Sequence, residues 1–294
     1  MSLIPVYRPR PSPLHVARAG VGASFCCALA LTGALYRHPL VLLATLGAVV
    51  AAGLLAGVGR EIGRSLLLAL PLALLVTIVN PLVYAEGDTL LVRGGEFLGR
   101  RFDITLEAIL YGALTGLRVM TLVVALGLLS AAVDPDELLR IFRRVSYRSA
   151  LTASLANRLV PVLARDAMRM GDAARCRPRP AGRFAVVRAA LTGALDRSVD
   201  VAAALEVRGY ALGGLPPRRR RPWSRHDLAF LAAALAITAL ALAGAIAGVA
   251  WVEPYPTFEI AWDSEVWALA AAIVLVALAP FAGRRARLGV GGRP

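Results

Sequence analysis

Two arginines occupy matching positions in the middle of this sequence and point to the first chemistry to consider. One lies in Asp172-Ala173-Ala174-Arg175-Cys176-Arg177-Pro178, the other in Leu205-Glu206-Val207-Arg208-Gly209-Tyr210. A guanidinium is planar, permanently charged and rich in donors, so it grips a carboxylate, a phosphate or a rim of carbonyls through paired hydrogen bonds. Each arginine also falls in the last turn of an expected helix. Gly209 can take the left-handed conformation that ends a helix, and Pro178 forbids continuation. Two uses therefore stand open for each arginine: a cation that complements its own helix dipole, or an anchor that fixes a helix tip on another molecule.

Other chemistries find little support. All 33 basic residues are arginine, since the 294-residue chain contains no lysine. That excludes the phosphate-cradling Gly-x-x-x-x-Gly-Lys-Ser/Thr loop, and with it ATP hydrolysis by this chain. No His-Glu-x-x-His run or Cys/His cluster occurs. His15, His38 and His226 lie far apart near the ends of apolar runs and read as interfacial residues. Cys26 and Cys27 read as small residues of an apolar run, and Cys176 has no partner spacing for zinc or a disulfide framework. The segment Asp172-Ala173-Ala174-Arg175, near basic residues, leaves one enzymatic alternative, a polytopic membrane enzyme acting on lipid phosphates. It lacks the further aspartates at short helical spacing that would hold metal ions. The expectation is a non-catalytic chain with no cofactor of its own.

The elements that must carry these arginines follow from hydropathy. The chain is 58% apolar and 18% charged, with a mean hydropathy of +0.66. Ordinary soluble domains carry roughly 45–50% apolar and about 25% charged residues. Crossing a bilayer core of about 30 Å takes roughly 20 apolar helical residues. Six runs qualify, at about 14–35, 40–58, 65–84, 105–133, 228–252 and 266–281. The fold class expected is all-α: a polytopic membrane protein of about six transmembrane helices plus cytoplasmic amphipathic helices.

Short arginine-rich loops stay in the cytoplasm, which orients the spans. Arg8, Arg10, Arg60, Arg64, Arg284, Arg285 and Arg287 belong inside. The loops holding Glu86, Asp88, Glu96 and Asp103, and Glu253, Glu259, Asp263 and Glu265, belong outside. Both termini are thus expected in the cytoplasm. Within the fourth span lies Arg118, an ionisable residue near mid-span, where a charge usually faces protein or water. Asn80, a helix carbonyl or a partner subunit could receive it, in a packing role or a coupling role. Gly112, Ala113 and Gly116 on the same span could allow close helix approach, with ordinary space-filling by small residues the favoured reading.

Residues 134–227 form a cytoplasmic insertion between residues 1–133 and 228–294. It is too polar to cross a membrane and too long for a mere connection. Between Asp134 and Arg225 it holds 19 arginines against 8 acidic residues, which is most of the net charge of +14. Three helices are expected at about 135–144, 149–175 and 183–209. Asp134-Pro135-Asp136-Glu137 opens the first, with a good N-cap, a proline suited to the first turn and acids that complement the dipole. Leu151, Leu155, Leu159, Val162 and Leu163 form an apolar stripe on the second, and Val187, Leu191, Leu195, Val199, Ala202 and Leu205 on the third. The run Arg218 to Arg221 reads as satisfying the inside rule or touching anionic headgroups rather than nucleic acid.

In order along the chain, these features resemble the transmembrane T component of energy-coupling factor transporters, the family that includes the cobalt transport permeases. The likeness rests on His38-Pro39-Leu40, Asn80-Pro81-Leu82, Ile104-Thr105-Leu106-Glu107, Arg118, Asp134-Pro135-Asp136-Glu137-Leu138 and Ala204 to Tyr210. The family signature is a pair of Ala-Arg-Gly triplets at the ends of two crossed coupling helices. Here Ala174-Arg175-Cys176 and Val207-Arg208-Gly209 stand in those places, each keeping the arginine and departing at one neighbour. The resemblance implies a multi-pass subunit of a bacterial or archaeal cell membrane, whose two arginines engage two ABC ATPase subunits. Those partners would use ATP and Mg, and a separate membrane subunit would bind a vitamin or a transition-metal ion.

Overall fold

A computed structural model of the chain describes residues 10–83, 90–97, 100–142, 147–176, 182–207, 222–250, 252–253, 259–260 and 262–282. Its elements in order are α1 (Pro13–Val16), α2 (Ala19–Leu35), α3 (Pro39–Leu55), α4 (Gly59–Val83), β1 (Leu90–Phe97), β2 (Arg100–Thr105), α5 (Leu106–Ala132), α6 (Pro135–Phe142), α7 (Tyr147–Arg175), α8 (Arg183–Val207), α9 (Arg225–Ile246), β3 (Val252–Glu253), β4 (Glu259–Ile260) and α10 (Ser264–Ala282). The fold is that of an all-α polytopic membrane protein, with two small antiparallel hairpins, β1–β2 and β3–β4, in its connections. Four helices are long and apolar enough to cross a membrane: α4, α5, α9 and α10. α2 and α3 are apolar but shorter, at 17 residues each.

The chain divides into two compact units, one of residues 1–138 and 223–294, the other of residues 139–222. The divisions fall a few residues inside the ends expected for the insertion, so Asp227 belongs with the apolar helices.

In the membrane unit, α4 packs on α5, α2 on α9 and on α5, and α3 on α10. Phe25, Phe230 and Phe281 meet edge to face, with ring centroids 5.2–6.5 Å apart, and join α2, α9 and α10 at one level. Such edge-to-face pairs add roughly 0.5–1.5 kcal/mol beyond the area they bury. Leu29, Val49, Val124, Leu128 and Ile237 complete the main core. Toward the end of α2, Tyr36 donates to the Ala241 carbonyl of α9 at 2.8 Å, so its buried hydroxyl has a partner.

The first span departs from expectation. Instead of one helix from Leu14, a single turn (α1) is capped by Ser12 and followed by extended backbone at Ala17 and Arg18 before α2 begins. The break coincides with a contact distant in sequence: the Arg18 N–H is given to the Asp227 carboxylate at 2.7 Å rather than to a helical carbonyl. α3 starts where Pro39 sits in the first turn and the His38 imidazole accepts the Leu40 N–H at 3.2 Å. It ends at Gly57, whose φ of 76° is cheap only for glycine, with the Val58 N–H donating to the Gly53 carbonyl at 2.9 Å.

The reading of Gly112 and Gly116 as mere space-filling is corrected. A Cβ on Gly112 would lie 2.7 Å from the Thr77 carbonyl, and one on Gly116 would lie 2.7 Å from the Ala73 carbonyl and collide with the Thr77 hydroxyl. The two glycines let α5 approach the backbone of α4 directly, and Thr77 donates both within α4 to Ala73 and across to Gly112. Between apolar helices in lipid, where no hydrophobic term favours association, close packing of this kind is the main attraction.

Candidate functional site

The second unit contains α7 and α8. Asp166 on α7 accepts a hydrogen bond from the Arg197 guanidinium on α8 at 2.5 Å, and Gly193 of α8 approaches Met170 of α7. Sequence numbers rise on one helix as they fall on the other, so the two run antiparallel. Their ends therefore point in opposite directions. By register, Val207 lies level with a point near the middle of α7, roughly 30 Å along the axis from Arg175. The Arg197 hydrogen bond holds the Asp166 carboxyl below its ordinary range, aided by the charge of Arg169 and Arg165 and opposed by desolvation.

Arg175 closes α7, with 83% of its side chain exposed. Its nearest acidic neighbour, Asp172, is 3.5 Å away and 73% exposed, at the outer limit of a hydrogen bond. Exposed pairs of this kind are worth about 0–1 kcal/mol, so the guanidinium is not committed to its own helix. Ala174 is half-buried and Cys176 is an exposed free thiol. The Cys176 N–H still donates to the Asp172 carbonyl at 3.3 Å, so the helix keeps its last bond without a glycine at that position. A shallow open groove beside the tip is lined by Ala167, Met168, Gly171, Asp172 and Arg175. An apolar floor with one cation at its rim suits a partner that offers an apolar side chain beside an acceptor.

Val207 ends the described part of α8 and is 90% exposed. Arg208 and Gly209 lie outside the described residues. On α8 the half-buried positions are Val186, Ala190, Gly193, Ala194, Arg197, Val201 and Leu205, at helical spacing, three of them Gly or Ala. The larger stripe, Val187, Leu191, Leu195 and Val199, is 55–67% exposed.

A model of the cobalt transport protein family CbiQ matches residues 11–223, well over half of the chain. The chain belongs to the CbiQ family. This is the family of the T components of energy-coupling factor transporters, so the protein is a membrane component of cobalt or energy-coupling factor type transport, within an ABC-type transporter. No curated protein matches the chain.

In this CbiQ family member, Arg118 and Asn80 are not brought together. Arg118 of α5 donates to the Ala34 carbonyl, one of the last carbonyls of α2, which has no partner within its own helix. A cation at a helix C-terminus also meets the negative end of the dipole. Of the possible partners, then, a helix carbonyl receives it. Asn80 sits on α4 with its Cβ against Gly112.

Sequence reasoning missed Arg18 and Asp227. Asp227 is fully buried; it accepts the Arg18 N–H at 2.7 Å and the Ser224 N–H at 2.9 Å, and its second oxygen lies 3.5 Å from the Arg18 Nε. Ser224 in turn accepts the Asp227 N–H at 3.1 Å, completing a capping box at the start of α9. The Ser-x-x-Asp spacing before an apolar run was the available signal for the cap. Nothing local signalled the partner 209 residues away.

Proposed function

We propose that this chain is the scaffold and energy-coupling subunit of an energy-coupling factor importer for a vitamin or a transition-metal ion. Two ABC ATPase subunits, using ATP and Mg, dock on the tips of α7 and α8 through Arg175 and Arg208, and a separate membrane subunit binds the cargo. The chain itself carries out no catalysis. Both termini and the α7–α8 unit face the cytoplasm, the side on which the loop arginines collect. The observation that carries the reading is the state of Arg175: a guanidinium at a helix tip, largely in solvent, with only a weak surface partner. The antiparallel helices support it, because opposed tips suit two separate docking points. The open stripe of Val187, Leu191, Leu195 and Val199 supplies an apolar face for a further partner. The arginine tip would set register while the stripe supplies area.

The test is copurification from membranes of a tagged chain, followed by titration with its ATPases. Anchoring arginines at an interface centre typically contribute about 2 kcal/mol or more, so Arg175→Ala and Arg208→Ala should each weaken ATPase binding by roughly 30-fold. The double variant should abolish both binding and uptake. Wild-type ATPase binding and uptake in the double variant would refute the proposal.

A further inference from the structure

The chain leaves the membrane unit after Leu138 and re-enters it at Trp223, and on the membrane side of both crossings the neighbouring residues meet the start of α2. On the outgoing side Ala131, Ala132 and Val133 are buried, and Val133 lies against Gly22 so closely that a Cβ there would be 3.3 Å from the Val133 methyl. On the returning side Asp227 holds the Arg18 N–H, and the Arg18 guanidinium pairs with Asp227 and lies 4.5 Å from the centre of the Trp223 ring. The two arms are thus held one turn apart on α2, at Gly22 and at Arg18.

The two attachments differ in kind. At Val133 the outgoing arm meets α2 through apolar packing against a glycine, which is non-directional and lets surfaces slide. The returning arm is held by a fully buried carboxylate with charged and backbone donors, which is directional and costly to part. Asp227 also stands in the first turn of α9 and at the N-cap of α2 at once. It answers an orphan N–H at the start of each helix and complements two dipoles with one charge. The capping box of α9 uses only the Ser224–Asp227 pair, so the added bond from the Arg18 N–H to Asp227 does something further: it makes α2 and α9 move together where the chain re-enters.

We infer that the Arg18–Asp227 staple is the positioning contact through which motion of the α7–α8 unit enters the membrane helices, the Val133 arm being the one that slips. This rests on the coupling role proposed above. α2 then leads directly to the Phe25, Phe230 and Phe281 cluster, so a displacement at Arg18 reaches α9 and α10 through packed rings.

The experiment uses the complex copurified with its ATPases, in liposomes, with Mg-ATP. It reads hydrolysis together with ATP-dependent hydrogen exchange by mass spectrometry over residues 147–207 and 223–246. In the wild type, ATP should change exchange in both segments. Asp227→Asn should keep hydrolysis within about twofold and keep the response in 147–207, while the response in 223–246 falls at least fivefold. Arg18→Gln, which retains the backbone N–H, should give an intermediate loss and decides the matter if Asp227→Asn does not fold. Val133→Ala should leave both responses intact. A purely structural role would lower the yield of complex and leave the response of 223–246 in proportion to that of 147–207. That proportional response, or a wild-type response that stops before Trp223, overturns the inference. Absence of any ATPase from the wild-type preparation would instead overturn the coupling role itself.

Discussion

The membrane unit and the α7–α8 unit are built from helices of similar length, yet they close their surfaces in opposite ways. In the first, Phe25, Leu29, Val49, Leu128 and Phe230 are sealed from solvent by neighbouring helices. Glycines bring α4 and α5 into backbone contact. In the second, α7 and α8 share half-buried residues and, among the described residues, the Asp166–Arg197 salt bridge, while the stripe of Val187, Leu191, Leu195 and Val199 on α8 stays open. On α8, then, four large side chains at helical spacing are turned outward rather than toward α7. The first unit buries its largest side chains within itself, and under the proposed function the open stripe of the second is covered by another molecule.

The same substitution should have opposite signs in the two units. Gly116→Ala on α5 places a methyl 2.7 Å from the Ala73 carbonyl, so α4 and α5 must separate. Overpacking of this kind costs about 1–3 kcal/mol and outweighs the gain in helix propensity. Thermal unfolding of the purified protein in detergent should show a clear fall in Tm. An unchanged Tm would mean that α4 and α5 do not approach at Gly116.

The stripe on α8 offers the next effect. Leu191→Ser with Leu195→Ser alters two side chains that are 61% and 67% exposed, so the folded chain should change by no more than about 0.5 kcal/mol. Recovery of the membrane partner with the tagged chain should nevertheless fall about tenfold, which is roughly 1.4 kcal/mol of assembly free energy. If the double variant instead unfolds the isolated chain and leaves assembly intact, the stripe is an internal core and the contrast between the units disappears.

Gly193→Ala on α8 should then behave unlike Gly116→Ala. Its Cβ would meet only Met170 Cε at 3.7 Å, an ordinary contact. Replacing a helical glycine by alanine under those conditions favours the helix by up to about 1 kcal/mol. Circular dichroism of the full chain should show equal or greater helicity and a slightly higher melting temperature. A destabilised Gly193→Ala would show that α7 and α8 pack more closely than the Met170 contact implies.

Much of this architecture was legible because it depends on local pattern. Apolar runs of helical length marked the membrane helices, and Asp134-Pro135-Asp136-Glu137 marked the start of α6. The stripe of Val187, Leu191, Leu195 and Val199 was visible as spacing, although its exposure was not, since periodicity cannot say what covers a face. The break at Ala17 and Arg18 was hidden because the residue it contacts, Asp227, lies at the far end of the chain. Arg118 was recognisable as a residue needing a partner, but the Ala34 carbonyl offered no signature, being one backbone oxygen among many. The β1–β2 hairpin was passed over because its flanking charges had already marked that segment as a loop. At the candidate site, the exposed state of Arg175 could not be read from sequence, where capping its own helix and anchoring a partner look the same.

The smallest expected effect is one of pH on the α7–α8 pairing. Arg197 holds the Asp166 carboxyl below its ordinary range. A carboxylate depressed in the folded state contributes stability that is fully present above its unfolded pKa and is lost as pH falls through its folded pKa. The pairing should therefore be insensitive between pH 8 and pH 5 and loosen only in the acid range below that of an unpaired aspartate. Asp166 and Arg197 are 25% and 41% exposed, so solvent and salt screen the pair and the loss should be modest. Amide exchange across residues 160–200, corrected for its intrinsic pH dependence, should rise with acidification in the wild type, more steeply at low than at high ionic strength. Asp166→Asn should show the faster exchange already at pH 7, with no further rise of that kind on acidification. If the variant instead follows the wild-type profile, the Asp166–Arg197 pair does not hold α7 to α8.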